Sequence, residues 1–175
     1  SRQASQGDIG DLKETLSFSI KLVFFFTIPS MFLLISLRVP ILNILFQRGS
    51  FTYTSTVKTA DALLFYSLGL WAFSGVRLIT PVFYSLQDTM TPVIIASISV
   101  VVNLIAGLIL MIPLKHGGLA LATSIAACCN FIILLIALRR KIGKIFRFDL
   151  IKTIGKVTVA SVCSALVAHF VSSLE

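Results

Sequence analysis

Five apolar stretches, each about long enough to cross a bilayer, occupy most of the 175 residues. The clearest runs from Val93 to Ile112, twenty residues without a charge and with Asn103 as the one strongly polar side chain. A hydrocarbon core about 30 Å thick takes roughly 20 helical residues to cross. Lipid offers no partner to a bare peptide group, so a stretch of this kind can only be satisfied as an α-helix. The pattern predicts an all-α integral membrane protein with about five transmembrane helices, and it directs attention to the residues that break the apolar rule.

The expected order is a polar link over 1–20, a span over 21–37 with Pro29 inside it, a short interfacial helix over 40–48 closed by Gly49, and spans over 62–86, 93–112 and 117–138. A basic link over 139–156 and a last span over 157–174 complete it. Pro40 to Phe46 is apolar but too short to cross, hence its interfacial assignment. Thr91-Pro92 reads as a helix start, with Thr as the cap and Pro at the first position. Asp61 and Asp88, at span ends, read as caps or loop charges. The chain opens in polar sequence, with no initiator Met and no signal peptide, and reads as a part of something longer.

Charge placement narrows function. Charged residues make up 13% and hydrophobic ones 57%, and the net charge is +8. Seven of the fifteen basic residues (Arg139, Arg140, Lys141, Lys144, Arg147, Lys152, Lys156) fall in one link beside a span. That placement suits a cytoplasmic loop on anionic phospholipid and argues against nucleic acid as a partner. Short links make successive spans antiparallel. One side then collects ten basic residues, from Arg2, Lys13, Lys21 and the link, and the other collects Arg38, Arg48, Lys58 and Lys115. The positive-inside rule puts the start of the chain in the cytoplasm and its end outside.

Arg77 is the main departure from the apolar rule. Nine uncharged residues separate it from the end of its span, roughly 13 Å at helical rise. A charge at that depth costs about 2.5–3.5 kcal/mol on insertion scales, so it is expected to face a partner, a polar cavity or water. A snorkelling Arg, or an ion pair with another segment, is the alternative. Pro81, four residues on, removes the hydrogen bond to the Arg77 carbonyl and predicts a kink there. Ser67, Ser74, Arg77, Pro81 and Tyr84 recur at helical spacing on one face, as a cavity wall would. Asn103 reads as a packing residue that hydrogen-bonds across a helix contact, with the lining of the same cavity as the alternative. Gly118, Ala122, Ala126 and Asn130, at steps of four, read as a helix-packing stripe. His169 reads as interfacial. Cys128, Cys129 and Cys163 read as small packing residues, and no Cys/His spacing suggests a metal. No cofactor motif or catalytic constellation appears, so an enzyme is not expected.

The wording of the sequence adds to its pattern. ILNILFQRGSFTYTST, ALLFYSLGLWAFSGVRLITPVFYSLQDTMTPV and PLKHGGLALATSIAACCNFIILLIALRRK, in this order and spacing, resemble the MurJ (MviN) family. Its members are bacterial lipid II flippases of the MOP transporter superfamily. The resemblance covers nearly the whole chain. It implies about fourteen helices in a complete member: two six-helix lobes around a central cavity and two extra helices that form a groove for the polyprenyl tail. This chain would supply the last four helices of the second lobe and one extra helix, 157–174, as a wall of that groove. The resemblance also implies a place in the bacterial cytoplasmic (inner) membrane, lipid II as cargo moved by alternating access, and the remaining N-terminal part of the transporter as partner. Arg77 matches a position where the family usually has Lys or Arg. Ser74 and Tyr84 join it as cavity candidates on the spacing argument, and Asn103 joins as the polar residue of the next span. Another MOP exporter, such as an O-antigen flippase or a drug antiporter, and a membrane fragment that transports nothing are the competing readings.

Overall fold

The computed structural model describes residues 2–46, 53–143 and 148–172, which form six α-helices. They are α1 (Arg2–Ser36), α2 (Arg38–Phe46), α3 (Tyr53–Ser85), α4 (Met90–Leu114), α5 (His116–Ile142) and α6 (Phe148–Ser172). Four contain segments long and apolar enough to cross a membrane: Gly10–Ser36, Ser55–Ser85, Met90–Leu114 and His116–Ile142. The all-α membrane class follows from these helices, and the described residues form no strand.

The helices overrun their apolar segments. α1 is already helical at Arg2, where sequence reading put a link as far as residue 20. Leu16 and Ile20 are buried in one cluster with Leu138 and Ile142 of α5, so packing extends the helix beyond the apolar stretch. α3 begins at Tyr53 rather than near 62, because Thr56 and Ala60 are fully buried. Asp61 is therefore an exposed residue inside a helix and caps nothing. α2 begins at Arg38, whose Nη1 donates to the Ile35 carbonyl at 2.9 Å. Gly49 lies outside the described residues. Arg139, Arg140 and Lys141 form the last turn of α5 rather than a link, where they complement the helix dipole. Gly143, at φ +83°, then ends the helix, its N–H donating to the Arg139 carbonyl. α1 and α3 run through Pro29 and Pro81 as single helices.

The α3–α4 corner is the most tightly specified junction. The Asp88 N–H donates to the Phe83 carbonyl and the Gln87 N–H to the Tyr84 carbonyl, with Gln87 in the left-handed region at φ 57°. This is a Schellman ending with a non-glycine residue at its left-handed position. Asp88 Oδ1 then accepts the Thr91 N–H at 3.0 Å, and Oδ2 pairs with Lys141 of α5. Thr89 holds the N-cap position of α4 but makes no side-chain cap bond, so the capping acceptor is Asp88, one residue earlier, and not Thr91, which already lies in the first turn of a helix that starts at Met90.

The helices lie side by side in the order α6, α1, α3, α5, α4, while α2 packs on α3 and α3 barely meets α4. Phe24, Trp71 and Phe131 join α1, α3 and α5 at the centre, with ring centroids 5.5–6.5 Å apart. Close approach elsewhere needs small residues. A Cβ at Gly69 of α3 would lie 2.6 Å from Ser124 Oγ of α5, and one at Gly118 would overlap the Leu110 carbonyl of α4.

Candidate functional site

The near-absence of contact between α3 and α4 has a structural consequence. Both pack on neighbouring sides of α5, so a groove of about 300 Å³ opens between them with α5 as its floor. α3 contributes Phe73, Val76 and Arg77, and α4 contributes Ser99, Val100 and Asn103. The floor is Thr123, Ala126, Ala127 and Asn130. Small floor residues leave the room that Leu or Phe would fill. A second hollow shares Val100, Asn103 and Thr123 and carries the groove on past Gly107 to Met111 and Leu119, along more apolar walls.

Within the groove Arg77 is exposed and has no hydrogen bond or ion pair with the described residues. An ion pair of Lys141 with Asp88 lies at the end of the bundle, away from the groove. Asn130 lines the groove with its Oδ1 buried and unpartnered. A buried acceptor left unmatched is unfavourable by about 1–3 kcal/mol. Thr123 Oγ1 and Ser99 Oγ donate back to the carbonyls of Leu119 and Ile95, which keeps these hydroxyls tied to their own helices. The arrangement is an open guanidinium flanked by two carboxamides, suited to an anionic oxygen beside groups that exchange neutral hydrogen bonds.

The structure divides the residues singled out from sequence. Arg77, Asn103, Ala126 and Asn130 come together in the groove. Ser74 does not: its Oγ accepts from Thr27 Oγ1 of α1 at 3.4 Å. Tyr84 is exposed and lines none of this groove, and Ser67 is buried with its Oγ donating to the Leu63 carbonyl. The polar face from Ser67 to Tyr84 covers about 100° of helix circumference, wide enough for one edge to meet α1 while Arg77 reaches the groove. Gly118 and Ala122 sit in the α4–α5 contact. Sequence reading missed Thr123 and Ser99 and took Asn130 for packing. The signal was present: Thr123, Ala127 and Asn130 repeat at four and three residues, a stripe beside the small-residue one.

Apolar crossing helices, and a cation held in a groove among three of them, define a multi-pass helical membrane protein. Comparison with known proteins gives the particular family. The model described as "Lipid II flippase MurJ" matches residues 1–174, and the chain belongs to the MurJ family. It is 38% identical over 130 residues to the probable lipid II flippase MurJ of Rickettsia prowazekii, covering 74% of this chain and 26% of that protein. Identity is 38% over 120 residues with the probable lipid II flippase MurJ of Vibrio cholerae, 69% of this chain and 23% of the other. It is 37% over 126 residues with the lipid II flippase MurJ of Thermosipho africanus, 71% and 26% respectively. The chain thus spans about a quarter of the length of the curated relatives it matches.

Proposed function

We propose that this chain forms part of a lipid II flippase in the bacterial cytoplasmic membrane, and that the groove between α3 and α4 is its share of the cargo cavity. The observation that carries this is Arg77: an unpaired guanidinium in a groove with Asn103 and Asn130, among helices apolar enough to span. An anionic head group cannot enter hydrocarbon unaided, and a guanidinium supplies charge-assisted hydrogen bonds to its phosphate oxygens. The carboxamides add neutral partners, and the apolar continuation past Gly107 adds surface for the rest of the cargo. An acidic lining would favour a drug antiporter, but the charged group lining this groove is Arg77.

The rest of the assignment follows the same reading. The start of the chain lies in the cytoplasm, with Lys13, Arg139, Arg140 and Lys141 at that end, facing anionic phospholipid. α6 crosses the membrane, and its face bearing Val159, Val162 and Leu166, exposed here, lines the path of the polyprenyl tail. The N-terminal part of the transporter covers the open side of the groove and completes the site, and rocking of the two lobes exposes it alternately.

The test is complementation by the complete protein in a strain depleted of its flippase. Arg77→Ala is expected to reduce rescue by at least tenfold in plating efficiency at normal membrane abundance, and Arg77→Lys to retain most of it. Full rescue by both variants would assign Arg77 to structure alone.

A further inference from the structure

A second groove lies on the far side of the bundle, where α6 packs on α1. The two helices run parallel, tied by Ser36 Oγ donating to the Ala165 carbonyl at 3.1 Å. Beside this contact they part around a hollow of about 370 Å³, with Phe25 and Pro29 on one wall and Val157, Ala160 and Ser164 on the other. Lys156 lines it too, exposed and without a hydrogen bond or ion pair to the described residues. Sequence reading put this lysine in a basic link outside the membrane, but α6 is helical from Phe148 and carries it along α1.

The depth of Lys156 follows from these contacts. Nine residues back from the Ser36–Ala165 bond on each helix, it stands close to level with Thr27. Thr27 Oγ1 in turn meets Ser74 of α3, and Phe24 meets Phe131, near the middle of α5. Lys13, beside Gly143, marks the basic end of α1. Fourteen residues separate Lys13 from Thr27, about 21 Å at helical rise, and nine separate Thr27 from Ser36, about 13 Å. Lys156 therefore lies inside a hydrocarbon core about 30 Å thick. Helical side chains tilt toward the N-terminus, here the longer way out, so snorkelling does not bring the ammonium group to water. A cation at that depth is held by a partner or by a water-filled cavity. The hydroxyls of this hollow, at Ser161 and Ser164, lie more than a turn farther out, while the ammonium tilts the other way. Among the described residues no carboxylate stands level with Lys156. Asp11 and Glu14 lie thirteen or more residues before Thr27, and Asp61 and Asp88 lie toward opposite ends of the bundle.

The surface around this cation suits a helix. Lys156, Ala160 and Ser164 recur at steps of four, so small side chains beside the charge let another backbone come close. A second copy of the same face would bring lysine against lysine, so the charge calls for a different segment. The chain covers 26% of the Rickettsia prowazekii relative, and most of such a protein lies outside these residues. We propose that the α1–α6 groove seats a membrane-spanning helix from the part of the complete protein outside residues 1–175, and that an Asp or Glu of that helix pairs with Lys156 within the membrane. The ion pair sets the depth of the incoming helix, because one register alone brings its carboxylate to the ammonium. The seat is separate from the Arg77 groove and from the Val159–Leu166 face of α6. It rests on the membrane class of the bundle and not on the flippase assignment.

The experiment uses the complete protein in cell membranes, with the photoreactive residue p-benzoylphenylalanine in place of Ala160 and, separately, of Ser164. Irradiation is expected to join each to one apolar segment of the same polypeptide that carries an Asp or Glu, located by peptide mass spectrometry. A Ser36→Cys/Ala165→Cys disulfide in these variants checks that the bulky residue leaves α6 docked. Lys156→Glu is expected to lower the amount of folded protein several-fold, because it sets two carboxylates together. Lys in place of the acid so located is expected to restore that amount when combined with Lys156→Glu. Cross-links that reach only lipid, a second copy or another protein from both positions would overturn the proposal. A fully abundant Lys156→Glu, or a charge exchange that restores nothing, would do the same. Arg77→Ala is expected to leave the cross-links unchanged, so failure of the transport reading and failure of this one are separable.

Discussion

Gly118 shows how much a single methyl group decides in this bundle. A side chain there would meet the backbone carbonyl of Leu110, which cannot turn aside as a side-chain tip can. Gly118→Ala is expected to destabilise the protein by about 1–3 kcal/mol, the usual range for overpacking, read as a lower midpoint in thermal unfolding in detergent. Gly10→Ala, with nothing within 4 Å of its added Cβ, is the matched control and is expected not to lower the midpoint. Arg77 is the opposite case, a large side chain kept in open space. Its departure from the apolar rule was legible in sequence because a charge has no place in lipid. Its surroundings were not, since Asn103, Thr123 and Asn130 come from other helices and only packing brings them near. Ser74 shared a face with Arg77 on paper, yet it meets Thr27 of α1.

At the scale of the element, the α3–α4 corner links three pieces of chain through one carboxylate. Asp88 caps α4 through the Thr91 N–H and pairs with Lys141 at the end of α5, whose ammonium also lies 6.0 Å from the centroid of the Phe83 ring. The Lys141 ammonium and the Thr91 hydrogen bonds hold the Asp88 carboxyl well below its ordinary value of 3.8. A carboxylate lowered on folding stabilises the fold at every pH above its unfolded value and loses that contribution as pH falls through the folded one. Asp88→Asn is accordingly expected to unfold at a lower temperature than wild type between pH 5 and 8, by a nearly constant amount. The gap is expected to narrow below the ordinary carboxylate range. Thermal melts across that pH series check it, and a gap that widened in acid would contradict the linkage. The corner was half legible beforehand: a turn and a helix start near Thr91-Pro92 could be read, but the capping role of Asp88 depends on the helix beginning at Met90.

For the whole molecule the decisive property is the distribution of charge between its two ends. α5 runs from His116 to Ile142, which places Lys115 and the Arg139–Lys141 cluster about 40 Å apart at helical rise. With the complete protein in intact cells, Lys115→Cys is expected to react with a membrane-impermeant maleimide from outside, and Arg140→Cys only after permeabilisation. Reaction of both from one side would refute the threading. Sequence alone determined that the chain is helical and membrane-embedded, because a run of apolar residues in lipid leaves the backbone one way to satisfy its hydrogen bonds. It also marked Arg77 and the basic end, because charge is unfavourable in hydrocarbon wherever the fold puts it. Tertiary structure decided the rest: which helices touch, that α3 and α4 part over a floor of small residues, and that α6 lies against α1. Those outcomes depend on side-chain volumes meeting across helices far apart in the chain, and no pattern within one helix contains them.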